Sequence, residues 1–188
     1  TYLQTIARGN DTVNPATGQV NNIFALAIGN GAQADGKAKS ASGMIAIGQE
    51  VKADNNNTIA IGVKTEATGN NGTAVGGYAK AIGTSSAAFG TQAVANGLGA
   101  TAFGPAASAG DGSTAADGST AVGRKSTVTA EGGTGLGWAT TVSAKDGTAI
   151  GHSATASIVG SVALGSDSVT TAAAGIAGYN PADSHTNK

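Results

Sequence analysis

The sequence predicts an all-β solenoid, a flattened two-sided roll built from short strands. Three observations point there. A glycine recurs with a fixed period, at Gly29, Gly48, Gly62, Gly76, Gly90, Gly104, Gly123, Gly137, Gly151 and Gly165, with spacings of 14 residues broken twice by spacings of 19. Around each glycine, small and large residues alternate with the period of a strand. Between copies stand turn pairs such as Asn71-Gly72, Asn96-Gly97 and Asp146-Gly147. A unit of 14 residues cannot enclose a core alone, but a stack of such units can. At ~4.8 Å between paired strands, ten rungs make a rod on the order of 48 Å long.

The first strand of each rung runs into the glycine, which is numbered here as position 0. Position −1 is bulky and apolar throughout: Ile28, Ile47, Ile61, Val75, Phe89, Phe103, Val122, Leu136, Ile150 and Leu164. Position −2 is Ala27, Ala46, Ala60, Ala74, Ala88, Ala102, Ala121, Gly135, Ala149 and Ala163. Neighbouring side chains in a strand point to opposite faces, so these two columns separate. The bulky column is expected to fill a thin interior. The small column is expected to form an apolar seam along which another chain packs closely; plain filling of a narrow core is its other reading. Position −3 holds Thr73, Thr101, Thr120, Thr134 and Thr148. It shares the bulky face and is expected to be buried or half-buried.

The second strand follows the glycine. Small residues stand at +3 and +5, as in Ala32 and Ala34 or Ala79 and Ala81, with polar residues between them. That alternation reads as a half-buried strand. Charges alternate in sign from rung to rung, with Lys52, Glu66 and Lys80 at +4 and Glu50 and Lys64 at +2. Cross-strand pairs of this kind contribute ~0.2–1 kcal/mol each and favour one register.

Ten copies in phase, such as Ser161-Val162-Ala163-Leu164-Gly165-Ser166-Asp167-Ser168, resemble the SVAIGxxS unit of YadA-like head domains of trimeric autotransporter adhesins. The resemblance covers about residues 23–170. It implies a homotrimer of left-handed parallel β-rolls and an adhesin head that attaches to host extracellular-matrix proteins, cell-surface receptors or abiotic surfaces. It also implies a place on the bacterial cell surface, with an outer-membrane anchor in segments outside this fragment. Residues 1–22 are out of phase and are expected to form an N-terminal cap, with Tyr2, Leu3 and Ile6 against the first rung and a turn at residues 14–18. Residues 171–188 are similar to the start of a neck.

The remaining features bound the function. The chain has 188 residues, a formal charge of −1 and no cysteine. There is no basic excess to suggest nucleic acid, no membrane span and no disulfide framework. No nucleophile elbow, phosphate loop or zinc-binding motif occurs. An enzyme, a cofactor and a metal are not expected. The two longer spacings place insertions at residues 37–43 and 110–118, and solenoid insertions leave the stack as loops. The second carries only two carboxylates, at no calcium-loop spacing.

Position +1 holds Arg124, Trp138 and His152 on three successive rungs. They are expected to lie side by side at a turn edge, either as a lid or as ligand-binding anchors. An ice-binding β-solenoid is the alternative function, resting on the threonines at −3. An acyltransferase on a hexapeptide β-helix would need about 18 residues per coil.

Overall fold

The computed structural model describes the backbone of residues 5–13 and 20–24 and, with side chains, residues 25–34, 43–110 and 116–171. Among them the chain forms strands and turns, with no α-helix. The first strands of the rungs are β2 (Val20–Ile28), β4 (Met44–Ile47), β6 (Ile59–Ile61), β8 (Thr73–Val75), β10 (Ala87–Phe89), β12 (Thr101–Phe103), β14 (Thr120–Val122), β16 (Thr134–Leu136), β18 (Thr148–Ile150) and β20 (Val162–Leu164). They pair in parallel, in that order, in one sheet. The second strands are β3 (Gln33–Ala34), β5 (Lys52–Ala53), β7 (Glu66–Ala67), β9 (Lys80–Ala81), β11 (Val94–Ala95), β13 (Ser108–Ala109), β15 (Thr127–Val128), β17 (Thr141–Val142) and β19 (Thr155–Ala156), and they make the other sheet.

The register keeps each column intact. Ala88 pairs with Ala74 on one side and Ala102 on the other, and Phe89 with Val75 and Phe103. The 19-residue spacing does not disturb it, since Ala102 pairs with Ala121. The five extra residues therefore leave the register of the ladder unchanged. Gly110 and Ala116, which bracket residues 111–115, both lie against Gly97. Residues 35–42 and 111–115, which hold most of the two expected insertions, lie outside the described residues.

The N-terminal segment supplies a strand at the end of the larger sheet. Its strand β1 (Thr5–Val13) runs antiparallel along the whole of β2, from Thr5 opposite Ile28 to Val13 opposite Val20. It covers the free edge that a parallel stack leaves at its first rung. Tyr2, Leu3, the turn at 14–18 and residues 172–188 lie outside the described residues.

Each rung turns at its glycine. All ten have φ between +115° and +142°, and each from Gly29 to Gly151 sits against the next glycine in the series. A Cβ on Gly48 would stand 2.0 Å from the carbonyl oxygen of Gly62. Glycine is thus required twice, by the backbone angle and by the approach of the next rung.

The interior corrects the expectation for the two apolar columns. Nine of the ten −2 residues are alanines, and from Ala46 to Ala149 they are fully buried within the single chain. They face the small residues of the second strand, including Ala67, Ala81, Ala95 and Ala109. The bulky −1 column points outward: Phe103 is 56% exposed and Leu136 47%. The physical reason is the width of the roll. A 14-residue coil brings its two sheets so close that alanine, serine, threonine and an occasional valine fill most of the space between them, with Met44 near the first rungs the larger exception. The −3 threonines share the outward face and are half-buried there, so they are not enclosed in the core.

Candidate functional site

The edge that carries position +1 is built by the turn itself. After the glycine, residue +2 takes left-handed φ on every rung, including Lys125 at 58°, Ala139 at 56°, Ser153 at 55° and Asp167 at 57°. In that conformation its N–H points along the rod and donates to the carbonyl of +1 on the preceding rung. The bonds are Lys125 to Pro105 at 3.0 Å, Ala139 to Arg124 at 2.9 Å, Ser153 to Trp138 at 2.9 Å and Asp167 to His152 at 2.8 Å. This ladder fixes residues 14 apart one above another.

Arg124, Trp138 and His152 are brought together as the spacing predicts. The guanidinium carbon of Arg124 lies 5.6 Å from the centroid of the Trp138 ring system. The Trp138 and His152 rings are 4.6 Å apart, tilted by 51°. All three are exposed, and Trp138 keeps 51% of its surface. An arginine over an exposed indole is held by about 0.5–1 kcal/mol. His152 Nδ1 lies 4.0 Å from Asp167 Oδ1, an ion pair when the ring is protonated, and its Nε2 is 3.4 Å from Ser153 Oγ.

Charge on the rung of Arg124 is unlike charge on the other described rungs. Lys52 faces Asp54 at 3.7 Å, Lys64 faces Glu50 at 3.6 Å, Lys80 faces Glu66 at 3.3 Å and Lys145 faces Glu131 at 2.8 Å. The Glu131 carboxylate accepts a hydrogen bond from Lys145 and raises its pKa above the ordinary lysine value. Among the described residues, Arg124 and Lys125 are the cations without such a carboxylate. Lys125 escaped sequence reasoning because it stands one position after the aromatic column. In its own column the adjoining rungs carry Ala106 and Ala139, so no opposite charge marks it out as Glu50 and Lys64 mark each other.

The other residues singled out by sequence lie elsewhere. Ala27, Ala46, Ala60, Ala74, Ala88, Ala102, Ala121, Gly135, Ala149 and Ala163 are enclosed by their own chain, so their side chains cannot form a seam with a second one. The exposed apolar surface is instead the −1 column, with Ile61, Phe103, Leu136 and Leu164 its most open members. Phe89 and Phe103 meet on it with centroids 5.8 Å apart. Among the described residues no group of histidine and acidic side chains could hold a metal, and no helix is long and apolar enough to cross a membrane.

The family model for the YadA head domain repeat, which spans two copies of the unit, matches residues 53–79, 81–107 and 143–168. A search among curated proteins returned no match. YadA head domains are structural parts of surface-exposed autotransporter adhesins of the outer membrane rather than enzymes. The three matched stretches fall in the phase of the glycine column, within the same two parallel ladders. The fold and the matched repeats thus agree: residues 53–79, 81–107 and 143–168 are similar to the YadA head domain repeat and lie in one parallel solenoid.

Proposed function

We propose that the chain is the head of a bacterial surface adhesin and works as a homotrimer of left-handed rolls. In this reading it is presented above the outer membrane by segments beyond residues 23–170, of which residues 171–188 begin the neck. The observation that carries the assembly is the outward −1 column. A ladder of Ile, Val, Phe and Leu runs the length of the larger sheet, and a contiguous apolar strip on that scale marks an interaction surface. Packing it against two copies removes it from water at about 25 cal/mol per Å² of apolar surface.

The ligands are host extracellular-matrix proteins or cell-surface receptors. The Arg124, Trp138 and His152 edge is the recognition patch, repeated three times at one level of the rod. Three weak contacts on one rigid body give avidity without a deep pocket. Sedimentation equilibrium of the full chain should give three times the monomer mass. Surfaces coated with collagens, fibronectin or laminin should retain the parent and release a Trp138→Ala variant of unchanged melting temperature. A stable monomer ends the trimer reading, and a variant that melts earlier but adheres as before makes Trp138 a lid.

A further inference from the structure

We infer that the edge formed by Arg124, Lys125 and Trp138 binds the sulfate or carboxylate groups of an anionic saccharide. The inference rests on the adhesin reading and names its ligand chemistry. Four lysines among the described residues sit within ion-pair distance of a carboxylate, whereas Arg124 and Lys125, adjacent in sequence and both exposed, do not. On the rungs flanking them the same edge offers Pro105 and Ala106 on one side and Trp138 and Ala139 on the other. Among the described residues of this edge the nearest acid is Asp167, which is three rungs away and faces His152. Two cations are therefore left with their charge directed to solvent, where an oxyanion completes them.

Geometry selects the form of that oxyanion. Arg124 is stacked on the indole, which leaves the edge of its guanidinium fork available for two parallel hydrogen bonds to a carboxylate or sulfate. Trp138 has half its surface open beside it, an apolar patch suited to the C–H face of a sugar ring. An acidic peptide fits less well. Extended peptides bind by adding a strand to a free sheet edge. Here the backbone N–H groups of Lys125, Ala139 and Ser153 are already spent on the preceding rung.

The test is calorimetric titration of the full chain with a heparin-derived octasaccharide, its desulfated counterpart and a hyaluronan oligosaccharide. The sulfated probe should bind, more weakly as salt is added. Arg124→Gln and Lys125→Gln should each lower affinity about tenfold or more, by loss of charge-assisted hydrogen bonding to the oxyanion. Lys64→Gln, on the same edge but paired with Glu50, should bind like the parent. Binding of hyaluronan as well assigns carboxylates to the site, and its absence restricts the site to sulfate. A parent that binds neither anionic probe overturns the inference, as do Arg124→Gln and Lys125→Gln variants that bind like the parent. If that parent still adheres to matrix proteins, the adhesin reading survives without it. If it adheres to nothing, both fall. All three substituted residues are exposed, so melting temperatures within error of the parent confirm that only the contact has changed.

Discussion

Glycine at the turn and glycine in the sheet fail for different reasons when changed. Gly90 has φ +129°, and a Cβ there would meet the carbonyl carbon and oxygen of Gly104 at 2.7 Å. Both atoms belong to backbone and cannot yield without shifting a rung. Gly90→Ala should therefore cost about 3 kcal/mol or more, by backbone strain and overlap together. Gly77 follows another turn glycine, yet its nearest neighbour would be the Val63 oxygen at 3.9 Å, and it needs no unusual angle. Gly77→Ala should stay within about 0.5 kcal/mol of the parent. Urea denaturation of the two variants checks the contrast, and equal losses would show that stacking does not single out position 0. Two buried hydroxyls, Ser86 Oγ and Ser119 Oγ, make no hydrogen bond among the described residues. Serine at those sites supplies size, not polarity.

Within a rung, the two strands share a fixed volume. Gly135 breaks the alanine rule of its column, and its neighbourhood shows why. A Cβ there would meet Ser126 Oγ and Thr140 Oγ1 at 2.8 Å and Val128 Cγ2 at 3.0 Å. The facing strands carry Val128 and Val142 where most other rungs have alanine, and the glycines at 133 and 147 make room for the same valines. Ser126 and Thr140 hold hydroxyls 2.6 Å apart in the space that remains. Gly135→Ala should destabilise by about 1–3 kcal/mol, and Val128→Ala added to it should recover part of that loss. A double-mutant cycle by thermal melting measures the coupling; a coupling of zero would mean that the two positions do not trade volume. The rungs and their strand boundaries were legible in the sequence because the glycine period sets them. So was the Arg124, Trp138 and His152 stack, since a 14-residue offset is a contact in this fold. Which face of the first strand is inside was not legible from that strand, because alternation separates two columns without orienting them. The second strand held the answer. Its polar +2 and +4 residues must face water, so its alanines face inward, and only a column as small as −2 can meet them.

For the whole molecule, the two columns of one strand now have opposite jobs. A charge at Ala74, which has no exposed surface, must enter the space between the sheets. Ala74→Glu should therefore unfold the chain, whatever its assembly state, because an unpaired buried carboxylate costs several kcal/mol. Phe103→Glu instead places its charge on the outer face. It should leave the far-ultraviolet circular dichroism of the roll intact while lowering the mass seen in sedimentation. If Ala74→Glu stays folded and merely dissociates, the interior assigned to the alanine column is wrong.

The constant register has a kinetic meaning as well. Parallel sheets usually fold slowly, because their strands are distant in sequence and long loops must close first. Here partners such as Ala88 and Ala102 are 14 residues apart in a chain of 188, a fraction of about 0.07. That value belongs with small helical bundles rather than with β-sandwiches. Each finished rung offers the next a complete template of backbone donors, acceptors and glycine hollows, so growth needs no contact with chain that has yet to arrive. A polypeptide delivered end first, through any narrow exit, can wind itself up as it emerges.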